Sequence, residues 1–140
     1  MANISNPDLP SEAISRLLAL IGQPARIQIL FAIGEQEACV CHLEAVLEMR
    51  QASISQHLMV LRKANLVTSY RDGRNIFYRL TQPGVLTLLQ QAAQLVGIQP
   101  EALRRLALRP VEGCPCPQCN PGMDPQLTCQ KARSKSKNIS

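Results

Sequence analysis

The chain has 140 residues, with 15 Lys and Arg against 10 Asp and Glu, a net charge of +5. Hydrophobic residues make up 46% of it and aromatic residues 3%, with no Trp. One domain with a Leu, Ile, Val and Ala core fits these numbers, whereas a β-sandwich or barrel does not. No apolar run approaches the roughly 18 residues of a membrane span. Residues 1–20 lack the basic start of a signal peptide. A cytoplasmic protein with no membrane partner is therefore expected.

Ser11 is expected to cap a first helix over 11–21, in which Ile14, Leu17, Leu18 and Ile21 fall at helical spacing. Gly22 stops it, and Pro24 opens a second helix that ends at Gly34. A third helix spans about 39–49, with Val40, Leu43, Val46 and Leu47. A fourth runs over about 52–64, its apolar residues Ile54, Leu58 and Leu61 spaced i, i+4, i+7. Asn65 follows where a left-handed cap belongs. The period then changes. Segments 66–70 and 76–80 are strand-prone, and Asp72-Gly73 between them signals a hairpin. After Pro83 a long helix reads to about residue 96, and a shorter one covers 101–108. The expected fold is mainly α with a small β-hairpin, in the order α-α-α-α-β-β-α(-α). Segment 8–109 forms the domain, 110–130 a Cys- and Pro-rich tail, and 131–140 a Lys- and Ser-rich disordered end.

Charge is distributed unevenly. Residues 1–49 carry −4, residues 50–79 carry +5, residues 80–130 balance, and the last ten carry +4. A basic block at 50–79 is the footprint of a polyanion, or else a solvated basic face. Helix, turn, helix and hairpin with the charge on the second half read as a winged helix–turn–helix.

Three stretches carry a family resemblance. Gly22-Gln23-Pro24-Ala25-Arg26-Ile27-Gln28-Ile29-Leu30 resembles the opening motif of the ArsR/SmtB family of metal-responsive repressors. The stretch 51–67, containing Ser55-Gln56-His57-Leu58-Met59-Val60-Leu61, is similar to that family's recognition helix. Arg71-Asp72-Gly73-Arg74 with Phe77-Tyr78-Arg79-Leu80 resembles its wing. Ala38-Cys39-Val40-Cys41-His42-Leu43 is similar to the cysteine box of its arsenite- and cadmium-sensing branch. The likeness covers roughly 10–100. Asn65 stands where the family has Gly, a harmless change because Asn also tolerates the left-handed region.

A recognition helix reads base edges with polar residues near its N-terminal end. Here these are Gln51, Ser53, Ser55, Gln56 and His57. Gln can meet adenine in bidentate fashion and Ser several edges. Arg50, Arg62, Lys63, Arg71 and Arg74 would meet phosphate. His57 can instead bond locally. Double-stranded operator DNA is the expected partner. The resemblance implies a homodimer formed through the first helix and the 83–96 helix, whose surplus apolar residues would form the interface. Burial against the 101–108 helix is the alternative for the latter.

Cys39 and Cys41 lie two apart, a spacing that on a regular helix separates them by about 200°. Joint chelation therefore needs Cys39 at or before the helix start, or a locally unwound first turn. The resemblance implies a third cysteine three residues after the second, but Glu44 stands there. The tail can complete the set with Cys114, Cys116 and Cys119, and Cys129 as a further candidate. Thiolates select soft ions. As(III) or Sb(III) is the first choice of inducer, with Cd(II), Pb(II) or Zn(II) as alternatives. The family's Asp/His/Glu site on its last core helix is absent, since 81–97 holds none of these residues. Competing readings are a structural zinc knot in the tail, inert buried Cys39 and Cys41, and a redox- or sulfide-responsive disulfide between Cys41 and a tail cysteine. No Ser/His/Asp set, phosphate loop or paired carboxylates support catalysis, so neither an enzyme nor an organic substrate is expected.

Overall fold

The computed structural model describes residues 9–109 and Cys114. Its elements are α1 (Pro10–Ile21), α2 (Pro24–Ile33), β1 (Ala38–Cys39), α3 (Val40–Leu47), α4 (Gln51–Lys63), β2 (Val67–Asp72), β3 (Asn75–Leu80), α5 (Gly84–Leu95) and α6 (Pro100–Arg104), followed by a 3₁₀ turn, Arg105–Ala107. This is a mainly helical winged helix–turn–helix with one small antiparallel sheet, ordered β1-β3-β2.

The core is built around α2, where Ile29, Leu30, Ala32 and Ile33 are fully buried. The i, i+4, i+7 set of α4, Ile54, Leu58 and Leu61, joins the same cluster, as do Leu43 of α3 and Leu86 and Leu89 of α5. Each such side chain contributes about 1.5–3 kcal/mol by leaving water. Asn65 takes φ 60°, and Leu66 N–H donates to the Leu61 carbonyl at 3.0 Å, closing α4 as the sequence suggests.

Four local details differ from the sequence reading. Ser11 does not cap α1: the cap is Leu9, and Pro10 occupies the first turn, where its missing N–H costs nothing. The third helix begins at Val40, because Ala38 and Cys39 pair with Tyr78 and Phe77 as an edge strand. It ends at Leu47, with Glu48 left-handed at φ 54°. In the hairpin, Asp72 pairs with Asn75, so Gly73 and Arg74 form the two-residue turn. Gly73 takes φ 64°, the backbone state that turn needs.

The chain after α5 returns to α2. Gly34 ends α2 with φ +60°, and a Cβ there would stand 3.2 Å from the Ala107 Cβ. Gln36 Nε2 donates to the Ala107 carbonyl at 3.1 Å. Arg109 donates through Nη2 to the carbonyls of Ala32 (2.9 Å) and Glu37 (3.3 Å). These bonds fix the C-terminal segment beside the α2–β1 connection, and Cys114 is buried against α3 and β3. The rest of the 110–130 tail and the 131–140 segment lie outside the described residues.

Two helices leave apolar side chains in solvent. Helix α1 exposes Ile14, Leu17 and Leu18, burying Ile21. Helix α5 buries Val85, Leu86, Leu89 and Ala93 but leaves Leu88 exposed and Leu95 88% exposed. Burial against α6 therefore accounts for only part of α5. Among the described residues no single helix is long and apolar enough to cross a membrane.

Candidate functional site

Two groups of residues share the sheet. The first is solvent-facing and basic. Arg50 is the extended residue that caps α4, and it is exposed, as are Gln51 and Gln56, while Ser53 and Ser55 are half-buried. Arg62 and Lys63 lie exposed in the last turn of α4, where they also offset its C-terminal dipole. Arg71 on β2 and Arg74 in the turn are exposed at the wing. Met59 is 55% exposed, three residues beyond Gln56 and four before Lys63, so the three share one face of α4. The sequence reading passed over Met59 because it looked for polar groups alone. Helical spacing from Gln56 was the signal, and an apolar side chain there can meet a thymine methyl.

His57 sits differently from its polar neighbours. It is half-buried, and its Nδ1 accepts a hydrogen bond from Arg26 Nε at 3.2 Å. Arg26 also donates through Nη1 to the Leu20 carbonyl at 2.8 Å, so one guanidinium ties the end of α1 to α4. Burial and then the facing Arg26 charge lower the His57 pKa below its ordinary value, favouring the neutral ring that can accept this bond.

The second group is buried. Cys39, Cys41 and Cys114 form one cluster with Phe77, and Ala45 packs against it. Cys39 is the N-cap of α3, with φ −87° and ψ 166°, and so lies outside the helix. That extended residue removes the opposed orientation a regular helix would impose, and both thiols reach the same cluster. Cys114 Sγ lies 3.4 Å from Nδ1 of the fully buried His42. None of the three cysteines is in a disulfide. Among the described residues, no group of three or more His, Cys, Asp or Glu side chains is disposed to hold a metal ion. Cys116, Cys119 and Cys129 lie outside the described residues. His42 and Phe77 were not singled out from sequence. Both are brought to the cluster by pairings more than thirty residues long.

Glu37, two residues before Cys39, connects the two groups. It accepts a hydrogen bond from the Tyr70 hydroxyl on β2 and stands 4.0 Å from Arg79 on β3. The bond to Glu37, with burial and its charge adding to it, pushes the Tyr70 phenol up to about 12. Tyr70 also stacks on Phe77, with ring centroids 5.7 Å apart and planes inclined by 25°. Phe77 in turn packs on the cysteines.

Comparison with known proteins follows the same lines. Residues 23–69 match the family model described as "Bacterial regulatory protein, arsR family". The "Transcriptional repressor SmtB homolog" of Synechocystis sp. is 30% identical over 83 residues, which are 59% of this chain and 63% of that protein. The match thus spans less than two thirds of that relative's length. The "Cadmium resistance transcriptional regulatory protein CadC" of Lactococcus lactis is 29% identical over 64% of this chain and 74% of its own. The solved structure of HlyU from Vibrio cholerae superposes with a TM-score of 0.56 at 30% identity, covering 63% of this chain and 96% of that one. The winged helix–turn–helix fold, the family model over residues 23–69 and relatives at 30% identity or more show together that the chain belongs to the arsR family of bacterial regulatory proteins.

Proposed function

We propose that this protein is a homodimeric repressor that holds a duplex operator and lets go when a thiophilic metal or metalloid ion binds its cysteines. Gln51, Ser53, Ser55 and Gln56 would read base edges from the major groove. Arg50, Arg62, Lys63, Arg71 and Arg74 would neutralise phosphate, giving affinity without sequence choice. The exposed apolar residues of α1 and α5 support a two-fold interface, which a pair of half-sites requires. The repressor and cadmium-resistance names of two relatives support the regulatory reading and a soft inducer.

The observation that carries the proposal is the burial of Cys39, Cys41 and Cys114 together, behind the strand that builds the wing. These thiols would hold the ion, with Cys116, Cys119 and Cys129 as further donors from the tail. The ion supplies soft Lewis acidity to which thiolates bind strongly. As(III) or Sb(III), Cd(II), Pb(II) and Zn(II) all fit sulfur donors. Cys39 is hydrogen-bonded into the sheet opposite Phe77, so drawing its sulfur inward pulls on β3 and on the start of α3. DNA and ion would then oppose each other by a reciprocal coupling of about 1–3 kcal/mol.

The test is a titration of reduced protein on a labelled duplex of its own upstream DNA with arsenite, Cd(II) and Zn(II) separately. Anisotropy reports release, and ultraviolet sulfur-to-metal charge transfer reports binding. Replacing Cys39 and Cys41 by Ser should leave DNA affinity intact and abolish release. Unchanged release in that double variant rejects the proposal.

A further inference from the structure

The bond between Arg26 and His57 fixes more than the spacing of two helices. A neutral imidazole has one nitrogen that donates and one that accepts. Arg26 Nε–H donates to His57 Nδ1 at 3.2 Å, so Nδ1 is the acceptor. The proton of the neutral ring then sits on Nε2. Burial and then the facing Arg26 charge both disfavour a second proton. Arg26 is itself held, because its Nη1 donates to the Leu20 carbonyl at 2.8 Å. The ring is thus held in one orientation and one tautomer, and Nε2–H is the donor it has left. His57 is half-buried in α4, four residues after Ser53 and seven after Arg50, so the three share one face of the helix. Leu61, four residues further on, is fully buried, so His57 stands where that face meets the core.

We propose that Arg26 is a positioning residue for DNA recognition, locking His57 so that its Nε2–H is a fixed, uncharged donor to an acceptor atom of the duplex. The proposal rests on the preceding reading that α4 enters duplex DNA. It adds a contact of a kind that the Gln, Ser, Arg and Lys set does not supply. Gln and Ser both donate and accept, so each can turn to suit several partners. Arg and Lys donate, but they carry charge. A locked imidazole donates, is neutral and cannot turn to accept. It suits guanine N7 or O6, thymine O4 or a phosphate oxygen, and it is opposed by the amino groups of adenine and cytosine. Because the ring is uncharged, the contact releases no counterion. The freedom that the ring would lose on binding is already lost in the free protein, which lowers the cost of forming the contact. Arg26 does this from inside the protein, without touching the duplex itself.

The experiment uses the full chain, reduced and with isotopically labelled histidine nitrogens, at about pH 8, where the ring is neutral. The chain has two histidines, and the His57 signals are those lost in His57→Gln. Nuclear magnetic resonance should show His57 in the Nε2–H form alone. Both forms should appear in Arg26→Met, which keeps the apolar stem and removes the donor. Binding is read by anisotropy on a labelled duplex of the protein's own upstream DNA. An Asn amide reaches the place of Nδ1, and a Gln amide the place of Nε2. His57→Asn should therefore lose about three- to tenfold in affinity, the scale of one hydrogen bond, and His57→Gln should recover most of it. The salt slope should hold in both, whereas loss of a phosphate-bound cation lowers it by about one. Arg26→Met should also lose affinity, and the loss should vanish in a His57→Ala background, because Arg26 acts through that ring. An equal loss on all sequences assigns the acceptor to phosphate, and a loss at one base position assigns it to a base edge. An Nδ1–H ring in the unsubstituted protein overturns the proposal. So does a salt slope lowered by about one in His57→Asn, or an Arg26→Met loss that persists without the ring. The spectrum of the unsubstituted protein and the Asn and Gln variants decide the matter even where Arg26→Met fails to fold. Duplex binding indifferent to His57 overturns the donor role alone. A locked tautomer in a protein that binds no duplex overturns it together with the repressor reading.

Discussion

Strand β3 serves two regions at once. Along one edge it pairs with β2 and makes the wing, and along the other it pairs with β1, which carries Cys39. The wing and recognition helix present solvated side chains drawn from one continuous stretch, 50–74. On the proposed function each side chain acts on a partner outside the protein, so each can be changed almost alone. The cysteine cluster is buried, apolar around its sulfurs, and assembled from α3, β3 and a tail residue 72 positions beyond His42. Its members act on one another, so they work as a unit. The difference teaches which substitutions will add and which will couple.

The sharpest way to break this separation is through the shared core. Leu61→Ala, beneath α4, should cost about 2–5 kcal/mol in denaturant unfolding and weaken both regions together. Loss of DNA binding with unchanged global stability would show that the regions do not share one core. Next comes Gln56→Ala. It should cost about 1–3 kcal/mol of operator affinity and relax sequence choice at one base position, with the ion response intact. An equal loss on all sequences would make Gln56 a backbone contact. Arg71→Ala and Arg74→Ala should instead weaken every duplex alike, each lowering the salt slope by about one, as read from anisotropy at several salt concentrations.

Tyr70→Phe tests the bridge between the regions. It keeps the stack on Phe77 and removes the bond to Glu37. Apo DNA affinity and ion affinity should barely move, while the coupling between them falls by a few-fold. In absorbance titration the substitution should delete a phenol ionising near 12. A raised folded-state pKa means the bond stabilises the protein below the ordinary tyrosine range, near pH 10. That contribution fades as pH climbs from there toward 12. The smallest effect concerns His57. Its lowered pKa means the unfolded chain takes up a proton first as pH falls through about 6.5. Stability from the Arg26–His57 bond is therefore full above that pH and declines below it. His57→Gln should flatten this slope in thermal melts.

Much of the fold was legible because it rests on local chemistry. Pro24, Gly34, Asn65 and the i, i+4, i+7 set of α4 each mark a boundary or a face without reference to distant residues. Ser11 misled because Pro10 already supplies a helix start, and the Asp-Gly pair misplaced the turn by one residue, since Asp72 still pairs across to Asn75. Strand β1 was illegible. Two residues have no period, and this strand exists only through its pairing with Tyr78 and Phe77. The polar face of α4 could be read from residue types, but Met59 could not, because an exposed apolar residue looks like core until the helix is oriented. At the cysteine cluster, Cys39 falls at the helix N-cap rather than inside the helix, one of the placements that joint chelation would need. Nothing in the local sequence around residue 42 announces a partner at 114.

Arg109, five residues before Cys114, grips the carbonyls of Ala32 and Glu37. The grip works as a tether. It holds the Cys114 thiol near α3 at an effective concentration on the order of millimolar or higher, whatever the concentration of protein. On the proposed function, ion capture is then an intramolecular closure within one chain, and its threshold depends on how firmly the tether holds. Weakening Arg109 would raise the ion concentration at which the protein responds without altering any ligand. A guanidinium seated on the α2–β1 connection would thus set the dose at which the genes under its control switch on.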